Sequence, residues 1–461
     1  MRYTLTHQNL PLLLALAALS FVPTLFFYYV GEEAIHPIVA MEMWHQGEWL
    51  KQPLYGADIR HIPLYNWLII AAANVVGWPH VLEVARGITI VATLSGAGVL
   101  AWFAQRLFGD RRFALFAVLA YLTLADVLLY RGWLAYVDPL FALCVFASLA
   151  LLVVAAREQH YGLLVLAATA LTLAFMSKAL TAYVFYGAAG FVLLWDKTQR
   201  KFLLGAASLA LHGGILAIPW AWSTFVGSRG HSGRMFEEIV AKLSVAGLLP
   251  YLEKILLFPL ETLLRFSPVL LLAIYFWWRK RIRQPETEPL LFKTLGAIAL
   301  LNFLPYWFAP QSNIRYVLPL APLIALLAAR LIWRAGEAGQ RLALQWFAAI
   351  IAFKFIFALA LFPYYQREFR GENYWLTAKE IMLKTHGQPL YVTDVSASGL
   401  SVAGYIDTLR HPQQPLQWPP AQWESGFVMA YTPDAALGEV HKIYTMGGDK
   451  LYLLCRGEAC R

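Results

Sequence analysis

The sequence predicts an α-helical polytopic membrane protein, with about 11 transmembrane helices and a small C-terminal α/β domain. Three observations carry that prediction. Of 461 residues, 59% are hydrophobic and only 14% charged, whereas ordinary soluble domains are about a quarter charged. Apolar runs of spanning length recur, joined by short basic loops. After residue 363 the pattern changes, and apolar and polar residues alternate between turn residues. The expected organisation is therefore a transmembrane domain over 1–363 and a soluble α/β domain over 364–461. Within the former lie a first outer loop at 31–83 and a mobile outer loop at 227–258.

The apolar runs fall at 10–30, 84–107, 112–130, 138–156, 161–177, 179–195, 202–224, 259–278, 291–308, 314–333 and 342–363. The first is too long for a signal-peptide core and reads as a retained anchor. A shorter stretch, Pro63 to Val76, carries Asn66 and Asn74. With that stretch lying in the interface and the N-terminus cytoplasmic, five basic loops fall inside. They are Arg106–Arg112, Arg157–His160, Asp196–Lys201, Arg279–Arg283 and Arg334–Arg341, as the positive-inside rule requires. The net charge of +9 is thus a topology signal and implies no nucleic-acid partner. The same parity puts the C-terminus outside.

That outer face collects the chemistry. Gly31-Glu32-Glu33-Ala34-Ile35-His36-Pro37 follows the first span. Adjacent carboxylates at a helix mouth are either a solvated exit or groups in use, one of them as a base. Residues 33–46 form an interfacial helix with an apolar face of Ile35, Ile38, Val39, Met41 and Met43. Trp44, Trp49, Tyr55, Tyr65, Trp67 and Trp78 read as an interfacial belt, with sugar stacking as the rival role. Arg60-His61 either bind an anionic headgroup or snorkel. Asp138-Pro139 reads first as a helix N-cap followed by proline, with a second carboxylate near Glu32 as the functional alternative. Lys178 and Arg315 stand at helix entrances, where cations suit a phosphate. Gly227 to Arg234 is glycine-rich and basic but lacks Walker spacing; it reads as a lid or a plain linker.

In the C-terminal region, helices are expected over 372–385 and 396–406, and strands over 389–393, 426–430 and 450–455. Cys455 and Cys460 are spaced to bridge if that end meets an oxidising compartment; Cys144 is in an apolar run. Two thiols do not complete a zinc site, and no metal-ligand cluster or cofactor motif stands out.

Glu32-Glu33-x-x-His36-x-x-Val39-Ala40-x-x-Met43-x-x-x-Gly47-x-Trp49 resembles the first outer loop of GT-C membrane glycosyltransferases. The branch is that of protein O-mannosyltransferases and lipid A aminoarabinose transferases. Pro63-Leu64-Tyr65-Asn66-Trp67, Arg131 to Asp138, Leu173 to Lys178 and Asn313-Ile314-Arg315-Tyr316-Val317-Leu318-Pro319 are similar to further elements of that family, in order. The resemblance implies inverting transfer of a sugar from a polyprenyl-phosphate donor to an acceptor hydroxyl. The acceptor is a lipid, glycan or protein on the extracytoplasmic face. It implies Glu32, Glu33 and Asp138 as the acidic catalytic positions and Lys178, Arg315, Arg60 and His61 around the donor phosphate. His36, Tyr65, Tyr136 and Tyr316 are the expected acceptor or sugar contacts. Glu32 stands where the family usually has aspartate, and His61 where it usually has lysine. No cofactor or metal is expected. The expected setting is a bacterial inner membrane, with the C-terminal domain periplasmic or extracellular. Two rivals remain: a transporter or flippase for a lipid-linked glycan, and a non-catalytic relative of the fold. Against the transporter, no repeat is visible and mid-helix charges are few, Lys354 being the main one.

Overall fold

A computed structural model of the chain describes residues 7–59, 62–225, 247–279, 281–282 and 284–461. Each apolar run expected to span contains helix. Leu10–Leu19 (α1) opens the chain, and the first outer loop contributes Ile35–Gln46 (α2) and Leu64–Val76 (α3). The apolar helices continue with Val81–Phe108 (α4), Arg111–Leu122 (α5), Asp138–Glu158 (α6), Tyr161–Ser177 (α7) and Thr181–Leu193 (α8). The amphipathic Lys197–Leu203 (α9) leads into Ala206–Phe225 (α10). After the undescribed stretch come Leu248–Arg265 (α11), Val269–Trp278 (α12), Pro289–Phe308 (α13), Ala321–Arg334 (α14) and Glu337–Ile356 (α15). Starts are marked by side-chain caps where loops are polar. Asp110 accepts from the Arg112 and Phe113 amides (2.8 and 3.1 Å) and Asp196 from those of Thr198 and Gln199 (2.9 Å each).

Among the described residues, five helices are long and apolar enough to cross a membrane, or seven if each of two bent pairs is one span. The protein is thus a multi-pass membrane protein. The run expected as one span over 259–278 is broken. α11 and α12 meet at 104° around Pro268, which has no N–H to give and crowds the turn before it. The loop expected at 227–258 falls mostly outside the described residues; from Leu248 the chain is helical.

The chain divides into two compact units. One comprises Met1–Val22, Ile90–Trp133 and Val137–Lys354; the other Pro23–Thr89, Leu134–Tyr136 and Phe355–Arg461. Hydropathy marks which segments are apolar, but packing decides which of them cluster, and residues 31–83 cluster with the C-terminal region.

In the first unit α6 packs on α7 and α8, and α14 packs on α5 and α12. Phe116, Val145, Phe146 and Leu152 are buried there. At the basic-loop end, Arg330 pairs with Glu286 at 2.7 Å and lies over the Phe108 ring.

The second unit joins α2 and α3 to a four-stranded sheet. A two-residue hairpin, Pro53–Leu54 (β1) and Ala57–Asp58 (β2), turns at Tyr55-Gly56 with φ of 55° and 84°, the backbone that tight antiparallel hairpins use. The sheet contains Leu390–Val392 (β3), Gly426–Ala430 (β4), Glu439–Met446 (β5) and Asp449–Arg456 (β6), in the order β3-β4-β6-β5. β3 runs parallel to β4, while β4–β6 and β5–β6 are antiparallel. Phe362–Glu368 (α16), Glu372–Lys384 (α17) and Ala397–Arg410 (α18) complete it. α18 packs on both α17 and α2. Cys455 and Cys460 form a disulfide.

Candidate functional site

The acidic cluster lies in the second unit. Gly31 has φ +60°, and a Cβ there would stand 2.9 Å from the Tyr136 hydroxyl. The positive φ favours glycine, and a side chain there would have to displace the Tyr136 hydroxyl. The turn it makes sends the two carboxylates to different environments. Glu32 is exposed, with its amide donating to Tyr136 Oη at 3.2 Å. Glu33 is fully buried. Its carboxylate accepts from Arg86 Nε (3.0 Å) and Nη2 (2.5 Å), the Val30 amide (2.8 Å) and the Ala135 amide (2.7 Å). Arg86 also donates to the carbonyls of Thr24 (3.2 Å), Phe27 (2.5 Å) and Tyr28 (2.9 Å). One guanidinium thus ties the end of the first apolar run to the Glu33 turn. A carboxylate with every lone pair filled holds structure and takes no proton from a substrate.

His36 and Tyr65 meet edge to face at 4.9 Å, and His36 Nδ1 lies 3.2 Å from Asn66 Oδ1. Tyr65 is buried, and its hydroxyl donates to the Ala85 carbonyl at 2.9 Å. It packs α3 against α4 and offers no face to a sugar, contrary to the contact role expected of it. In the same unit a mainly apolar cavity of about 590 Å³ is lined by Val30, Gly31, Phe357, Leu361, Phe362 and Tyr365, with Arg370 at its edge. Its size is that of a small-ligand or lipid-chain site. Gln366 fixes its wall, donating to the Tyr28 carbonyl (2.9 Å) and accepting from the Tyr28 amide (3.1 Å).

The cationic cluster lies in the first unit. Asp138 occupies the first turn of α6, but its side chain caps nothing. It pairs instead with Lys178, which sits between α7 and α8 and also lies over the Tyr316 ring at 5.2 Å. The capping reading of Asp138 fails because an ammonium is the stronger partner for a carboxylate. Arg315 is exposed. Asn313 accepts from its amide at 3.0 Å, and its guanidinium lies 5.2 Å from the Tyr316 ring centre. Asp126 adds a second acid, bridging Arg131 (3.2 Å) and Arg265 (2.7 Å). Lys178 and Arg315 thus share the Tyr316 ring. Arg60 and His61 lie outside the described residues.

Sequence reasoning missed Arg86, Asp126 and Arg265. The signal for Arg86 was present: an arginine inside a spanning run is costly unless paired, and Glu33 was the available acid. Among the described residues no three His, Cys, Asp or Glu side chains converge as a metal site.

Residues 60–222 match a family model described as dolichyl-phosphate-mannose-protein mannosyltransferase. The fold is similar to that of ArnT from Cupriavidus metallidurans bound to undecaprenyl phosphate. The TM-score is 0.71 at 17% identity, covering 99% of this chain and 99% of that one. The apo state of the same protein gives 0.70 at 16%, with 98% of each covered. An oligosaccharyltransferase from Archaeoglobus fulgidus, in complex with zinc and sulfate, gives 0.53 at 14% identity. That match covers 88% of this chain and 62% of the other. The chain therefore shares the fold of these structures, and the ArnT match extends over nearly its whole length.

Proposed function

We propose that this protein is an inverting glycosyltransferase that moves a sugar from a polyprenyl-phosphate donor to an acceptor hydroxyl on the extracytoplasmic face of a bacterial inner membrane. The observation that carries this reading is the division of labour between Glu32 and Glu33. One carboxylate is bare to solvent and the next is locked on Arg86, so the turn presents a single free base at a fixed place. The likeness in fold to a protein bound to undecaprenyl phosphate supports the donor class. The Cys455–Cys460 disulfide supports an oxidising compartment for the C-terminal region.

In this reading Glu32 accepts the proton of the acceptor hydroxyl as its oxygen attacks the anomeric carbon. The bond from that carbon to the phosphate oxygen breaks, and polyprenyl phosphate leaves as an anion. The resemblance of their motifs assigns Lys178 and Arg315 to the charge that develops on it. Asp138 holds Lys178 in position, and Glu33 with Arg86 holds the turn that carries Glu32. The apolar cavity beside Gly31 takes a lipid chain. No nucleotide is required, because the donor is already activated.

The test is Glu32→Gln in purified protein supplied with a polyprenyl-phosphate sugar. Loss of a general base reduces transfer on the order of 10²–10⁴-fold, while thermal stability is unchanged because the side chain is exposed. Undiminished transfer by that variant removes Glu32 from the mechanism.

A further inference from the structure

The second unit holds another cleft, separate from the residues assigned above. It has a volume of about 500 Å³ and is built around Trp418, Trp423, Tyr431, Asp434, Arg456 and Thr393. It opens where the parallel pair β3 and β4 ends, at Thr393 and Tyr431. Crevices beyond the carboxyl ends of parallel strands are where α/β sheets commonly take ligands.

Two aromatic rings of the cleft are exposed, while Trp423 is partly buried against the sheet core. Trp418 is 49% and Tyr431 57% exposed, so neither is needed to fill a core. Trp418 is nevertheless held. Its amide donates to the Tyr55 carbonyl at 3.0 Å, and its ring stacks on Tyr55 at 6.4 Å and 14°. The preceding residue is held too, its carbonyl accepting from the Val392 amide at 3.1 Å. Pro419-Pro420 follows, so the wall has little backbone freedom. Trp423 meets Tyr391 edge to face at 5.5 Å, and the Arg456 guanidinium lies 5.2 Å from its ring centre. Asp434 is set by its own turn, accepting from the Ala436 amide at 2.9 Å. Rigid, preformed faces reduce the entropy lost on binding.

The chemistry of this set is specific. Flat indole and phenol faces suit the C–H face of a pyranose ring. A carboxylate that accepts and a guanidinium that donates in a planar fork suit vicinal hydroxyls. With one acid and one base the cleft has no net charge, so it favours a neutral or zwitterionic polyol over a polyanion. A membrane-dipping surface would instead be convex and would not carry a carboxylate such as Asp434 in its lining.

We propose that this cleft is a saccharide-binding site that holds a sugar ring of the acceptor glycan. The identity of the occupant as acceptor rests on the transferase reading above; the saccharide class does not.

The experiment uses the full chain in detergent, without donor, so that failure of the transferase reading leaves it unaffected. The probe is the oligosaccharide pool released by mild acid from the envelope of the cell that makes the protein. Binding is read by saturation-transfer NMR and calorimetry. Wild type binds, Trp418→Ala and Trp423→Ala each bind about tenfold more weakly, and Trp418→Tyr recovers most of the loss. Amide exchange over β3 and β4 is recorded for every variant, and Asp434→Asn, which disturbs no packing, is a second probe of the same site. Absence of binding by wild type, or equal binding by wild type, Trp423→Ala and Asp434→Asn, overturns the proposal. So does a loss confined to association with glycan-free vesicles, which would make these rings membrane anchors.

Discussion

Two ion pairs in this molecule have opposite designs. Glu33–Arg86 in the second unit is entirely sealed, each side chain 0% exposed, with the surrounding amides and carbonyls completing its hydrogen bonds. Asp138–Lys178 in the first unit is open on one side. Its lysine side chain is 22% exposed and rests against the Tyr316 ring. A sealed pair has nothing left to offer a ligand, and breaking it strands a charge. An open pair can trade part of its interaction for a phosphate. The most conspicuous buried charges thus fix geometry, while the chemistry proposed above is assigned to side chains left more open, Glu32 and Lys178.

The sharpest way to break this comparison is Arg86→Met. The substitution leaves Glu33 buried without its cation and should cost about 3–5 kcal/mol, read as lost amide-exchange protection in α2 and a lower unfolding midpoint. Adding Glu33→Gln should restore part of that stability, since the stranded charge is gone; the double-mutant cycle measures the coupling. If Arg86→Met left stability intact and abolished transfer alone, the pair would be functional and the contrast would collapse.

Lys178→Gln tests the open pair. The amide can still donate to Asp138, whose side chain is 9% exposed, so the variant should lose less than Arg86→Met does, about 1–3 kcal/mol. The cation is gone, however, and kcat/KM for a polyprenyl-phosphate donor should fall on the order of 10²-fold. Arg315→Gln should act in the same direction with less effect, because its exposed guanidinium is better screened. A Lys178→Gln protein that unfolds as Arg86→Met does would mean that this pair, too, is structural.

The fold was legible where one physical signal dominates. The apolar helices, the helical nature of α2 and α3, and the strand at Gly426–Ala430 follow from hydropathy and period. β5 was not legible, because most residues of this edge strand are exposed and the alternation that marks a half-buried strand is faint. The site was legible in part. Glu32, Asp138, Lys178 and Arg315 stand at helix ends, where a charge is conspicuous. The bridge from Asp126 to Arg265 was not, since 139 residues separate the partners and nothing in local spacing encodes their meeting. Glu32 and Glu33 are adjacent and chemically alike; only packing could assign one to water and the other to Arg86.

A smaller effect sharpens the contrast from within the second unit, which also buries carboxyls that lack any cation as close as Arg86. Glu42 accepts from the Tyr55 and Gly56 amides at 2.6 and 2.9 Å, yet burial pushes its carboxyl up to about 7. Asp407 accepts from the Leu416 amide at 2.7 Å, while its other oxygen has no hydrogen-bond partner. Burial pushes it up to about 8. Both therefore hold protons in the folded state at pH values where the unfolded chain has released them. With more protons bound to the folded form, stability is full below about pH 4 and declines as pH rises towards about 8. Amide exchange of β3 and α18, measured between pH 5 and 8 after correction for the intrinsic rate, should show falling protection with rising pH. Asp407→Asn, which keeps an acceptor for the Leu416 amide and cannot ionise, should flatten that slope. A slope unchanged in Asp407→Asn and in Glu42→Gln would show that neither carboxyl stays protonated in the fold, and that burial without a cation is less costly here than the contrast with Glu33–Arg86 requires.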